Sequence, residues 1–404
     1  MSALSFWTRL RFAVTLGVPL LVALLLVVPA GAQTFQSSFL GALDNNCQGL
    51  HGATTLGYGP QLGQICLGGG GVSSGNASSS VDVRGMGGEE LLLQRLKARR
   101  DGTAGSADWQ TALRGLSLFA TAEYQTFDKD VTRFEPGYSR DTWGGTFGAD
   151  YSFAGKGVIG LAFTYAYQDG DFGGQGGSFN TTAYNPTVYG SILVVPNLFI
   201  DLYAGYTRRD YVIDRRYSFS MGNTDIPLAN AHGETNGNEA KAGVNVGYDF
   251  VFGRFTVGPR FGLHYWRNDI DSYSETGGAG GKVPTGLELR YEGQQQTSFT
   301  TTLGLFGSMA ISTGIGVFVP QGMWEWVHEF ENNQRVITYS FVQDLQRARL
   351  RFQTDPPDRD YFNAGLGLSL VLANGIVPFV NVKQFFGYEK QSATTVTAGL
   401  RFSF

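Results

Sequence analysis

From about Leu113 to the end of the chain, apolar and polar side chains alternate, and the alternation breaks only at clusters of turn residues. Successive side chains on a strand point to opposite faces, so period two predicts strands lying between an apolar and a polar medium. The pattern places strands at 115–126, 140–153, 157–168, 182–195, 197–208 and 239–252. It continues at 254–266, 298–311, 315–329, 360–373, 375–386 and 393–404. In 157–168 the apolar face is Ile159, Leu161, Phe163, Tyr165 and Tyr167. In 254–266 it is Phe255, Val257, Pro259, Phe261, Leu263 and Tyr265, set against Arg254, Thr256, Arg260 and His264. The last strand alternates Val396, Ala398, Leu400, Phe402 and Phe404 with Thr395, Thr397, Gly399, Arg401 and Ser403.

The connections carry a second pattern. Short turns fall at 154–156, 195–197, 252–254, 312–314 and 373–375. Longer polar loops fall between them, near 127–139, 169–181, 209–238, 267–297, 330–359 and 387–392. Strict alternation of short and long, over an even number of strands, is the rhythm of a bacterial outer-membrane barrel with periplasmic turns and extracellular loops. A soluble sandwich has no reason to keep it. Beyond the amino terminus no apolar run is long enough for a transmembrane helix, so a membrane position requires closure into a barrel. The predicted fold is therefore all-β: a transmembrane antiparallel β-barrel of about twelve strands. Composition agrees, with 57 Gly, 30 Phe and 19 Tyr but only 16% charged residues, because half of each strand faces a polar lumen. A net charge of −4 gives no argument for nucleic acid as a partner.

Ahead of the barrel the pattern changes twice. Arg9 and Arg11, the apolar run Phe12–Val28 and the small residues Ala30-Gly31-Ala32 read as a secretory signal peptide over 1–32, cut before Gln33. A retained anchor is the other reading; the run is slightly short for it. Residues 33–87 are rich in Gly and Ser, with little to bury. Their Cys47 and Cys66 read, in an exported chain, as one disulfide closing a small loop. Within 88–112, residues 89–100 are strong helix formers with acids first and bases last, as the helix dipole prefers, and Gly102 stops them. The barrel unit is then 113–404.

Candidate chemistry is sparse. Gly71-Val72-Ser73-Ser74-Gly75 has the letters of a nucleophile elbow without its strand and helix. His328-Glu329 lacks the second histidine of a metalloprotease motif; alternation points His328 outward and Glu325 and Glu329 into the lumen. The glycine clusters 173–177 and 277–281 read as flexible loops. No cofactor, metal or catalytic residue is indicated. The predicted lumen charges are Glu123, Asp150, Asp201, Lys241, Asp249, Arg260, Glu325, Glu329, Lys383 and Arg401. Ions of both signs there read as a salt-bridged wall around a pore element, or as a pore that selects solutes. Arg208, Arg209, Arg215 and Arg216 open the 209–238 loop and could meet lipopolysaccharide phosphates, although Asp210 and Asp214 lie among them.

Several blocks, in order, resemble the autotransporter β-domain, the translocator of type V secretion. They are Tyr138–Tyr151, Gly157–Tyr165, Asp271–Gly277, Val319-Pro320-Gln321 leading into Trp326–Phe330, and Asn374-Gly375-Ile376 with Ala398–Phe402. The terminal strand through Leu400, Phe402 and Phe404 is similar to the signal by which outer-membrane barrels are recognised for assembly. The resemblance covers roughly 115–404. It implies the Gram-negative outer membrane, with its lipid and lipopolysaccharide as surroundings, and barrel-assembly machinery and periplasmic chaperones as partners. It also implies a linker helix in the pore and display or export of the amino-terminal segment. Family members usually carry a large amino-terminal passenger; here about eighty residues, with no visible repeat, separate the predicted cleavage site from the barrel. A stand-alone channel and a surface adhesin therefore remain alternatives, with any host or surface ligand unspecified.

Overall fold

The computed structural model describes residues 89–100, 115–153, 156–173, 176–221, 224–279, 286–344 and 347–403. The signal peptide, the 33–87 segment with Cys47 and Cys66, and Phe404 lie outside the described residues.

Helix α1 is Glu89–Arg100. The barrel strands in chain order are β1 Leu116–Lys129, β2 Tyr138–Phe153, β3 Gly157–Phe172 and β4 Gly177–Val195. Next are β5 Leu198–Met221, β6 Thr224–Tyr248, β7 Phe255–Ile270 and β8 Gln294–Met309. The circuit ends with β9 Gly316–Glu329, β10 Asp360–Leu372, β11 Ile376–Phe386 and β12 Gln391–Ser403. Every strand pairs antiparallel with its sequence neighbours, and β1 pairs with β12, so twelve strands close a barrel with no free edge. The closing register sets Leu118 against Phe402 and Ala120 against Leu400.

Burial alternates as period two requires. Ile159, Leu161, Tyr165 and Tyr167 on β3, and Phe255, Val257, Phe261 and Tyr265 on β7, are exposed on the outer wall. Leu202, Leu303, Leu305, Leu366 and Leu400 continue the same belt on other strands. A soluble protein seldom exposes so large an apolar surface; hydrocarbon is the medium that accepts it. On the inner wall, aromatic rings sit over glycines of the neighbouring strand. A Cβ on Gly243 would lie 2.5 Å from the Tyr203 ring, and one on Gly160 would lie 2.3 Å from Tyr189.

The turn end is tight: Asn197, Gly253 and Gly375 adopt positive φ at three of the short connections. The loop end differs from expectation. The 169–181 loop is reduced to the few residues between Phe172 and Gly177, and most of 209–238 is strand, because β5 and β6 run on for 24 and 25 residues. Thr276–Ala279 adds to the β6 edge, so the described part of the 277–281 glycine cluster is paired backbone. The 267–297 and 330–359 loops fold together into a four-stranded sheet of Tyr273–Ser274, Leu289–Tyr291, Val336–Phe341 and Leu350–Gln353, hereafter the lid.

Candidate functional site

Among the described residues the barrel holds two internal elements. Near the turn end lies α1. Its Leu92 and Leu96 are buried against Phe119, Val158, Ala162, Tyr189 and Tyr203 of the inner wall. Arg95 donates from Nε to Asp150 Oδ2 at 2.7 Å and also reaches Ser117. Tyr189 donates its hydroxyl to the same Asp150 oxygen at 3.0 Å. Both members of the ion pair are essentially fully buried. Asn381 of β11 donates to Gln94 Oε1 at 2.7 Å, tying the opposite flank of the helix. Strong local propensity makes the helix, and the apolar side at 92 and 96 with Arg95 between fixes which face meets the wall.

Above α1 is a cavity of about 310 Å³. Leu93, Gln94 and Lys97 line it from the helix, and Glu123, Asp201, Lys241, Arg260, Glu325 and Lys383 from the wall. Asp201 accepts from Ser191 at 2.6 Å, and Glu325 accepts from Asn363 at 3.4 Å. Arg260 pairs with Asp249 and stacks 4.3 Å over Phe199. Arg401, on β12 away from the cavity, lies 4.0 Å over Phe379. Glu329 sits near the loop end, accepting from Ser298 at 2.5 Å and from the Phe299 and Glu331 amides at 3.0 Å. The ten charges are thus divided between the helix seat, the cavity and structural pairs. His328 stands on the outer side, 2.9 Å from Asp360. Leu400 and Phe402 lie on the outer face of β12.

The lid lies across the loop end. Its Leu289, Tyr291, Ile337, Tyr339, Phe341 and Phe352 share one core with Phe127, Tyr138, Phe179, Ile213 and Tyr217 of the extended wall. Two ion-pair ties flank that core. Arg215 of β5 donates to Glu275 at 2.8 and 2.6 Å and to the Leu287 carbonyl at 2.8 Å. Burial works against the Arg215 charge, but Glu275 beside it prevails and raises its pKa. On the β1 side, Lys129 meets Glu135 at 2.5 Å and Asp355 at 3.2 Å. Burial raises the Asp355 carboxyl above its ordinary value, with Lys129 opposing. Because the lid's own strands hang from β7 to β10, ties to β5 and β1 draw it across the mouth.

The four arginines read as opening a loop are instead on β5. Arg209 and Arg215 face inward to Glu239, at 2.8 Å, and Glu275, whereas Arg208 and Arg216 face outward. Sequence reasoning put Arg209 and Arg215 in a loop and gave no lumen role to Arg95, Glu239 or Glu275. A signal existed for Arg209 and Arg215: with Tyr211, Ile213 and Tyr217 they continue the period-two face of β5 without a break.

A family model described as the autotransporter beta-domain matches residues 118–383. No curated protein matches the chain by sequence. Among solved structures, the chain is similar to the translocator domain of the autotransporter NalP from Neisseria meningitidis. That likeness has 15% identity and a TM-score of 0.57, over 78% of this chain and 96% of that one. The β-domain of the Bordetella autotransporter BrkA aligns at 14% identity, over 72% and 100% of the two chains, with a TM-score of 0.48. The transport unit of AIDA-I from Escherichia coli aligns at 14%, over 76% and 98%, with a TM-score of 0.44. At these identities the NalP likeness supports the fold alone, and the other two add no argument. The family match spans most of the barrel, and the chain belongs to the autotransporter β-domain family, the outer-membrane translocator barrels of type V secretion.

Proposed function

We propose that this barrel carries its own amino-terminal segment, 33–87, through its lumen to the cell surface, and that α1 is the part of the linker left in the pore afterwards. The supporting observation is the buried seat of α1: Arg95 held by Asp150 and Ser117 inside the barrel. A helix directly preceding β1 and docked in the lumen is what a self-threaded chain leaves behind. The barrel performs passage and anchoring, with no chemistry of its own, after export guided by a cleaved signal peptide. Phe404 and the β12 face serve barrel assembly by the periplasmic and outer-membrane machinery. Protease accessibility of a tag near Ser74 tests the reading. Cleavage in intact cells supports it; cleavage only after permeabilisation overturns it. The second outcome favours a surface barrel without a passenger, a reading to which the lid across the mouth lends weight.

A further inference from the structure

The lid has a second face. Leu289, Tyr291, Tyr339 and Phe352 are buried in the loop-end core, so the residues between them point away from it. Along the strand Leu350–Gln353 and the residues leading into it, these are Arg347, Arg349 and Arg351, all exposed. Arg349 and Arg351 flank Leu350, so they leave the chain on one face about 7 Å apart, and Arg347 is exposed at the turn just before them, the three forming a comb. Arg290 joins the same face two strands away: it is in register with Ser340, as Arg351 is with Thr338. Glu292 answers one of the four, 2.8 Å from Arg349. The neighbouring acids Asp344 and Glu288 are buried, accepting from the backbone of Ala348 and Gly286.

Two further features set the comb apart. Arg347 has a φ of 51°, which is uncommon for a side chain with a Cβ. Bonds from the Arg347 and Ala348 amides to Asp344, at 3.1 and 2.8 Å, hold that turn. Leu350–Gln353 is also the edge of the lid sheet. Charges commonly guard such edges against pairing with other chains, but that role requires neither Arg290 in the sheet interior nor arginine in particular. Arginine's planar fork matches sulfate, phosphate and carboxylate oxygens.

We propose that the outward face of the lid binds a linear sulfated polysaccharide laid along Arg347, Arg349 and Arg351, with Arg290 beside them. The comb stands on the lid, whereas Arg208 and Arg216 lie on the outer face of the β5 wall. A polymer arriving from solution therefore fits it better than the phosphates of the protein's own membrane. The inference needs the loop end to face outward, and it holds whether or not residues 33–87 cross the lumen.

The test is retention of the folded barrel, in detergent, on immobilised heparin. Wild type should be retained in a salt-dependent way, and the triple variant Arg347→Ala, Arg349→Ala, Arg351→Ala should lose roughly tenfold to a hundredfold in affinity. A control variant with Arg208→Ala and Arg216→Ala should bind as wild type. Heat-modifiable migration on gels reports folding; if the triple variant fails that check, Arg290→Ala and Arg349→Ala singly carry the test. Equal binding by the lid variants overturns the proposal. So does equal competition by the unsulfated polymer, or binding to lipopolysaccharide micelles without binding to heparin.

Discussion

Arg95 and Asp150 show how one pair can set the state of a pore. Neither charge is exposed to solvent, so removing one partner strands the other in a poorly hydrated wall. Loss of one member of a buried pair costs about 3–5 kcal/mol. Asp150→Asn should therefore loosen α1 while leaving the barrel closed. A spin label at Leu93 should become mobile; an unchanged spectrum would count against the helix seat. His232 offers a pH-dependent counterpart on the long hairpin. A hydrogen bond to Asp214 raises its pKa, burial opposes, and Glu234 adds to the rise. A raised imidazole contributes stability that is complete below the ordinary histidine value and is lost as pH rises through the folded value. Amide exchange around 212–216 and 230–234 should accordingly quicken from mildly acidic to alkaline pH. His232→Gln should flatten that dependence, and an equal dependence in the variant would remove His232 as its source.

At the scale of elements, the strands were legible because each crosses between lipid and lumen, and that boundary imposes period two. The turn rhythm and the even count followed from the same constraint. Beyond the membrane the constraint disappears. Both faces of the β5–β6 extension can be polar, so Arg208–Arg216 looked like loop until Arg209 and Arg215 were seen to share an inner face with Tyr211, Ile213 and Tyr217. The lid was illegible for a different reason: its strands are two to six residues long, and their partners are brought together only by barrel closure. The seat of α1 was foreseeable only through family resemblance, since nothing local marks Asp150 as the partner of Arg95. Two predictions belong here. Gly243→Val pushes a side chain into the Tyr203 ring and should cost about 1–3 kcal/mol through overpacking. It should lower the temperature at which the barrel unfolds in gel-shift assays, whereas Gly307→Ala, with open space around it, should not. Glu275→Ala leaves the buried Arg215 without its main partner. It should open the buried 286–289 segment to external protease, and a resistant variant would show that the apolar core alone holds the lid.

For the whole molecule, membership of a translocator family and the two inner closures describe one object: an outer-membrane barrel whose lumen is closed at both ends. α1 occupies the turn end, the lid crosses the loop end, and a cavity of about 310 Å³ remains between them. Opposite charges on the wall then hold the inner elements in place. Lid and helix are fixed by unrelated ties, so opening one should leave the other closing the lumen. Single-channel conductance in planar bilayers tests this directly, comparing wild type, Asp150→Asn, Glu275→Ala and the double variant. The account predicts a quiet wild type, at most brief openings in each single variant, and sustained large openings only when both ties are broken. A wild-type barrel that conducts steadily, or a double variant that stays silent while correctly folded, would contradict it.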